Sequence, residues 1–275
     1  LGVTEVRFTG GEPLLRKGIV DIVRAVGSLG NRPQMSLTTN GIGLARRAAD
    51  FAAAGLDRVN VSLDSLDPET FLALTRRPRH ADVLAALGAC VAAGLAPVKV
   101  NAVMMRGVND HEAPALLQYC LERGYHIRFI EQMPLDAGHS WQRSSMVTAA
   151  ETLAALSTRF ELRPHRAPRD GAPAELFEVV GYAVDGRPAT VGVIASVTRP
   201  FCGDCDRTRL TADGQIRTCL FARTETDLRG LLRSGADDDT VADAWRAAMW
   251  AKLAGHGIND DSFLQPDRPM SAIGG

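Results

Sequence analysis

The chain has 275 residues, a net charge of −1 and 45% hydrophobic residues, enough for one large globular domain or two ordinary ones. No basic surplus points to nucleic acid, and no apolar run reaches the ~20 residues of a membrane span. Five cysteines, with a single Cys-x-x-Cys, argue for a reducing compartment and a metal rather than disulfides, so the expected location is the cytoplasm.

The first residue is Leu1, and a strand pattern begins almost at once, so the chain is expected to be a fragment without its N-terminal part. Val3–Thr9 is predicted as a strand, followed by a Gly10-Gly11-Glu12-Pro13 turn and a helix at Ile19–Ser28. Met35–Thr39 is a predicted strand, followed by Asn40-Gly41 and a helix to about Ala54. Arg58–Leu63 comes next, with helices across Pro68–Leu74 and His80–Ala93. Strand Val98–Met104, a helix at His111–Glu122 and strand Ile127–Glu131 complete this half. Helices between successive strands imply parallel pairing through right-handed crossovers.

The strands alternate where a two-sided parallel sheet would be solidly apolar. One face carries Glu5, Arg7 and Thr9; Ser36, Thr38 and Asn40; Asn60, Ser62 and Asp64; Lys99 and Asn101; and Arg128. The other carries Val6, Phe8, Met35, Leu37, Val59, Val61, Leu63, Val98, Val100, Ile127 and Phe129. A curved, barrel-like sheet accommodates both, with its apolar face toward the helices and its polar face lining a lumen. Such a lumen places the active site near the C-terminal strand ends. Three cations point into it: Arg7, Lys99 and Arg128. Lys99 is one of three lysines among 31 basic residues. It needs either a carboxylate, Asp64 or Glu5, or an anionic ligand such as phosphate. Glu12 in the Gly-Gly turn could accept a ligand ammonium, although such turns also occur with no ligand.

After Met133-Pro134 the pattern changes. Thr148 is a candidate cap for a helix to about Thr158, and Arg163–Pro173 is expected to be a linker. Strands are predicted at Leu176–Tyr182 and Thr190–Val197, and helices at Leu228–Arg233 and Thr240–Leu253. Trp245, Met249 and Leu253 fit a core-facing stripe. By composition the tail Gln265–Gly275 is expected to be disordered.

Between these elements lies Phe201–Leu220. Cys202 and Cys205 form the Cys-x-x-Cys, Asp213-Gly214 is a hairpin turn signal, and the returning strand brings Cys219 back toward the pair. Three thiolates on one hairpin leave three readings open. They could hold zinc with a distant fourth ligand such as His256, an iron–sulfur cluster with one open iron, or no metal. Arg207 and Arg209, two apart, are expected on one strand face, where paired guanidinium groups suit a phosphorylated ligand or simply face solvent.

The order of Gly10-Gly11-Glu12-Pro13, Thr38-Thr39-Asn40-Gly41, Val61-Ser62-Leu63-Asp64, Val98-Lys99-Val100-Asn101, Ile127-Arg128-Phe129-Ile130-Glu131 and the Cys/Arg hairpin resembles the radical S-adenosylmethionine enzymes of molybdenum cofactor biosynthesis. The resemblance covers essentially the whole chain. It implies a partial (βα)6 TIM-like barrel over residues 1–145, its first strand missing, and an α+β auxiliary-cluster domain over 146–275. It implies cyclisation of GTP between C3′ and C8 by a radical derived from S-adenosylmethionine. A 4Fe–4S cluster would lie on Cys202, Cys205 and Cys219, with GTP at Arg7, Thr38, Lys99, Arg128, Arg207, Thr208 and Arg209. S-adenosylmethionine would lie at Gly11, Ser62 and Met133, and no catalytic side chain is singled out beyond the bound cofactors. Gly274-Gly275 resembles a double-glycine tail that reaches the active site. The family's Cys-x-x-x-Cys-x-x-Cys motif for a first 4Fe–4S cluster does not occur in this sequence, so the chain alone is expected to bind GTP without generating the radical. An electron donor and the next enzyme of the molybdopterin pathway are implied partners, and a homodimer is among the assembly states left open. Two rival readings are another radical enzyme with an auxiliary cluster and a non-catalytic zinc-stapled domain.

Overall fold

Five parallel strands lead the chain in the computed structural model, which describes every residue except Asp170, Ala254, His256 and Gly275. Strands β1 (Glu5–Phe8), β2 (Gln34–Thr39), β3 (Arg58–Ser62), β4 (Val98–Met104) and β5 (His126–Glu131) pair in sequence order. Between them run α1 (Ile19–Gly27), α2 (Ala48–Ala53), α3 (Pro68–Thr75), α4 (His80–Ala92) and α5 (Ala113–Arg123). The expected boundaries here hold within two residues, except that turns delay α2 until Ala48. Local chemistry explains the starts. Asp67 caps α3 by accepting from the Thr70 N–H at 2.7 Å, with Pro68 in the first turn, where a missing N–H costs nothing.

The second half extends the same sheet. Helix α6 (Ala149–Ser157) opens on the expected Thr148 cap, a full capping box with Glu151. Strands β6 (Leu162–Pro164), β7 (Glu175–Val184) and β8 (Arg187–Ile194) follow. Strand β8 pairs parallel to β5, giving the order β1-β2-β3-β4-β5-β8-β7-β6, with β7 antiparallel to both of its neighbours. The sheet is therefore continuous across the expected division at 145/146. The expected Arg163–Pro173 linker also begins inside an edge strand rather than after one. A small sheet of β9 (Arg209–Leu210), β10 (Gln215–Arg217) and β11 (Thr226–Asp227) carries the cysteine hairpin. Helices α7 (Leu228–Arg233), α8 (Asp238–Trp250) and α9 (Met270–Ile273) close the chain. The proposed stripe on α8 is only partly right. Leu253 lies beyond the helix end and is 79% exposed, and the buried position is Ala248.

The main core takes the apolar face of the sheet. Met35, Leu37, Val59, Val61, Val100, Ile127 and Phe129 pack with helix residues such as Val23, Phe51, Leu87 and Leu116. Burying one such side chain contributes roughly 1.5–3 kcal/mol. Cys90 and Cys120 belong to this core. Burial pushes the Cys90 thiol up to about 12 and raises that of Cys120 as well, so both stay protonated and inert.

Candidate active site

The polar face is organised by register. Arg7 pairs with Ser36 and Ser36 with Arg58; Thr38 pairs with Asn60, Asn60 with Lys99 and Lys99 with His126; Ser62 pairs with Asn101, Asn101 with Arg128 and Arg128 with Gly192. In-register strands thus turn a period-two pattern into rows across the sheet. Arg58 and His126 join the face, although the alternate positions picked out from the sequence began at Asn60 and omitted His126. A Cβ at Gly192 would meet the Arg128 Cγ at 3.0 Å, so this glycine leaves room for the arginine stem. Asn60 donates to the Thr38 hydroxyl at 3.2 Å, while the Oδ1 atoms of Asn60 and Asn101 are buried without a hydrogen-bond partner. Orphaned polar atoms beside a row of cations point to a ligand.

Neither expected carboxylate pairs with Lys99. Asp64 accepts from the Val103 N–H at 2.8 Å, and burial pushes its pKa up to about 6. Glu5 pairs with Arg58 at 3.0 Å. Burial, then Arg128, Arg58 and Arg7, pull Lys99 down to about 7 against Glu5. Burial chiefly, helped by Arg7 and Arg58, brings Arg128 to about 10. Arg7 is lowered by burial and then by Arg58 and Arg207. Arg207 is near enough to Arg7 to act on its charge.

The turn after β1 is fixed by Glu12. Its carboxylate accepts from the Leu14 N–H at 2.9 Å, the Thr39 hydroxyl at 2.6 Å and the Asn40 N–H at 2.8 Å. Those bonds tie the turn to the end of β2 and leave the carboxylate with acceptor capacity to spare. Gly10 adopts φ +142°, a conformation that favours glycine. Ser62 is half-buried at the end of β3, and Met133 is half-buried after β5.

In the cysteine hairpin, residues Thr211–Gly214 link β9 to β10, so the turn is longer than the two residues expected. The Arg207 guanidinium stacks over the Phe201 ring at 4.8 Å and donates to the Cys205 Sγ at 3.5 Å. Lys252, missed in the sequence, donates to the Cys205 Sγ at 3.4 Å and to the Arg207 carbonyl at 2.8 Å. Burial pushes the Cys205 thiol up, but the Arg207 N–H, its guanidinium and Lys252 outweigh it and lower the pKa. The Cys219 Sγ accepts from the Phe221 N–H at 3.4 Å. Arg209, held near about 10 mainly by burial, feels the charges of both Cys219 and Cys205. Thr208 donates to the Met249 thioether.

The expectation that the three thiolates meet at one point needs correction. Among the described residues no group of three His, Cys, Asp or Glu side chains is gathered to hold a single ion. A 4Fe–4S cluster asks for less, because each thiolate binds a different iron. All three cysteines are half-buried, and N–H donors reach the sulfurs of Cys205 and Cys219, so the chemistry of the donor set fits such a group. His256, the distant zinc ligand considered, lies outside the described residues.

The tail is ordered where it is described. Arg268 bridges Asp213 at 3.0 Å and Glu225 at 2.9 Å, and Glu225 in turn holds the buried Arg217 at 2.6 Å. Helix α9 follows with Ile273 2% exposed, and the Gly274 carbonyl accepts from Arg209 Nε at 3.1 Å. A Cβ on Gly274 would come within 3.0 Å of Thr9 Cγ2, and one on Gly11 within 3.1 Å of the Ser271 carbonyl. The expectation of disorder from composition fails because Arg268 and Ile273 anchor the segment. The last glycine, Gly275, lies outside the described residues.

A lumen of registered cations faced by an Arg/Cys hairpin can now be set beside known proteins. The Radical SAM superfamily matches residues 1–120, and the family described as Molybdenum Cofactor Synthesis C matches residues 125–258. GTP 3′,8-cyclase of Streptomyces coelicolor is 64% identical over 276 residues, covering all of this chain and 80% of the relative. The chain belongs to the GTP 3′,8-cyclase family. GTP 3′,8-cyclase of Mycobacterium sp. strain KMS is 62% identical, with the chain covering 77% of it. GTP 3′,8-cyclase 2 of Mycobacterium tuberculosis strain H37Rv is 62% identical, with 76% covered. Membership brings 4Fe–4S chemistry and S-adenosylmethionine with it. No helix among the described residues is long and apolar enough to cross a membrane.

Proposed function

We propose that this chain supplies the GTP-binding lumen and the auxiliary-cluster site for the cyclisation of GTP between C3′ and C8 that opens molybdenum cofactor biosynthesis, the radical-generating cluster needing cysteines that this sequence does not contain. The reading is supported above all by Lys99, a lysine brought to about 7 among arginines with no carboxylate of its own, which the triphosphate would neutralise. Arg7, Lys99 and Arg128 hold the phosphates from the strand rows, and Arg207 and Arg209 close over them from the hairpin. Thr38, positioned by Asn60, contacts the nucleotide. Thr208, between the two arginines, joins them on the nucleotide side. Gly11, Ser62 and Met133 form the S-adenosylmethionine side, and Cys202, Cys205 and Cys219 hold the cluster. When bound, the cluster would supply an open iron for the guanine, and S-adenosylmethionine would be the source of the hydrogen-abstracting radical once an electron reaches it from a cluster that this sequence does not ligate. Residues 1–145 then serve as the binding barrel and 146–275 as the cluster-bearing half, although the family matches change over earlier, between residues 120 and 125. An electron donor and the next enzyme of the pathway are its expected partners.

The test is calorimetry on the anaerobically reconstituted 275-residue chain. GTP should bind more tightly than ATP, and Lys99→Ala should abolish most of the affinity. Equal binding of the two nucleotides, or unchanged binding by Lys99→Ala, rejects the reading.

A further inference from the structure

Arg58 stands apart from Arg7, Lys99 and Arg128 because it has a carboxylate partner. Its Nη2 lies 3.0 Å from Glu5 Oε2 and its Nη1 donates to Gln34 Oε1 at 3.1 Å. It shares the lumen face of β3 with Asn60 and Ser62 and pairs in register with Ser36, the neighbour of Arg7. After burial, it is among the charges that depress Arg7, Lys99 and Arg128, so its guanidinium looks into the same cluster. Glu5 is the one carboxylate acting on all three. Among the described residues, Glu5 is thus the carboxylate that all four cations share.

The pair is asymmetric. The Arg58 side chain is 14% exposed and the Glu5 side chain 56%. The arginine is committed to the lumen, whereas the acid can rotate into water at little cost, since a half-exposed ion pair is weak. A phosphate offers the same bidentate geometry as a carboxylate, with more charge.

We infer that Arg58 is a further ligand of the polyphosphate, and that Glu5 is its placeholder, displaced into solvent when the nucleotide's phosphates arrive. This rests on the proposed function only in taking the ligand to be a polyphosphate. The placeholder lowers the cost of holding Arg58 beside three other cations in the empty site. It also sets a threshold, because an anion must outcompete a carboxylate to gain the fourth cation. A triphosphate therefore gains more from this exchange than a monophosphate does.

Calorimetric titration of the 275-residue chain with inorganic tripolyphosphate, GTP and guanosine tests the inference. Arg58→Gln should weaken tripolyphosphate and GTP by about ten-fold, the scale of one charge-assisted hydrogen-bonded contact, and leave guanosine unchanged. Glu5→Gln should tighten tripolyphosphate and GTP several-fold, and should do markedly less in an Arg58→Gln background, where only its field on Arg7, Lys99 and Arg128 remains. If the pair is only a tie between β1 and β3, Glu5→Gln will leave tripolyphosphate binding unchanged or weaken it, and that result overturns the inference. Arg58→Lys keeps the charge should Arg58→Gln not fold. It should still bind tripolyphosphate more weakly, and affinity equal to the parent chain overturns the inference. If tripolyphosphate shows the expected pattern while GTP binds no better than ATP, the guanine reading fails and the Arg58–Glu5 exchange stands.

Discussion

The strand lumen and the cysteine hairpin both present cations to one space, but they are held in different ways. Arg7, Lys99 and Arg128 stand on strands whose register is fixed by the parallel ladder and whose opposite faces are buried in the main core. Arg209 opens the two-residue β9, and Arg207 lies on the irregular approach to it. There, position comes from charge pairs and caps: Arg217 to Glu225, Arg268 to Glu225 and Asp213, Lys252 to the Arg207 carbonyl. The lumen is therefore a rigid template, and the hairpin is a part whose geometry depends on what it holds. Substitutions in the first should act on binding and folding together. Substitutions in the second should act on the cluster and on the ligand with little effect on the barrel.

The sharpest contrast is in metal content. Cys202→Ala, Cys205→Ala or Cys219→Ala should abolish iron and sulfide incorporation on anaerobic reconstitution, whereas Cys90→Ala and Cys120→Ala should incorporate normally despite some loss of core packing. Iron retained by a Cys219 variant would separate that residue from the site.

Next in size is the joint between the regions. Glu131, 2% exposed at the end of β5, accepts from the Ala149, Val197 and Thr198 N–H groups at 2.7, 2.8 and 2.9 Å, and from the Thr198 hydroxyl. It binds the barrel to the start of α6 and to the segment leading into Cys202. Glu131→Ala leaves several buried donors unpaired, each costing about 1–3 kcal/mol, so a loss of about 3–5 kcal/mol is expected in denaturant unfolding. A loss below about 1 kcal/mol would mean that water replaces the carboxylate and that the two regions are joined elsewhere.

Much of this was legible in the sequence, and the reasons differ by element. Strand β4 was predicted over Val98–Met104 as observed, because strict alternation is a local signal. The capping box at Thr148 was legible for the same reason. The pairing of β8 with β5 was not, because parallel neighbours far apart in sequence leave no local trace. The hairpin arginines stood out through their spacing beside the cysteines. Lys252 and Arg268 did not, because they come from beyond the end of α8 and from the tail. The structural donors of Glu12, Thr39 and Asn40, were not legible because they lie 27 and 28 residues along the chain.

A smaller effect should separate the two arginines. Arg207→Ala and Arg209→Ala should each weaken GTP about 10–100-fold, corresponding to the ~1.5–3 kcal/mol of a charge-assisted contact. Arg209→Lys should keep only part of that affinity, since an ammonium cannot form the planar fork and its bond to the Gly274 carbonyl is also disturbed. Lys99→Arg, on the rigid template, should be the worse of the two charge-conserving changes, because the larger head must fit between fixed rows. The reverse ranking, measured by calorimetry, would make the hairpin the rigid partner.

The smallest expected effect is in pH dependence, and its sign follows from the direction of the shift. Lys99 has its folded pKa lowered from 10.5 to about 7, chiefly by burial and then by Arg128, Arg58 and Arg7. Between about 7 and 10.5 the unfolded chain binds more protons at this position than the folded one, so the free protein gains stability as pH rises through that window. Below about 7 the lysine is charged in both states and the penalty is constant. An anionic ligand reverses the balance, since it favours the charged amine and raises its pKa in the complex. Binding near pH 8 should therefore take up close to one proton, visible as an apparent enthalpy that varies with the ionisation enthalpy of the buffer. The affinity should fall by up to about ten-fold per unit as pH rises above 7. His126, on the same face and pulled down by burial, Lys99 and Arg128 against Asp185, adds a weaker dependence on the acid side. Lys99→Arg should abolish proton uptake above pH 7 while leaving the His126 contribution, which distinguishes the two groups. Proton uptake near pH 8 that persists in Lys99→Arg would assign it to another group and detach the lumen's electrostatics from Lys99.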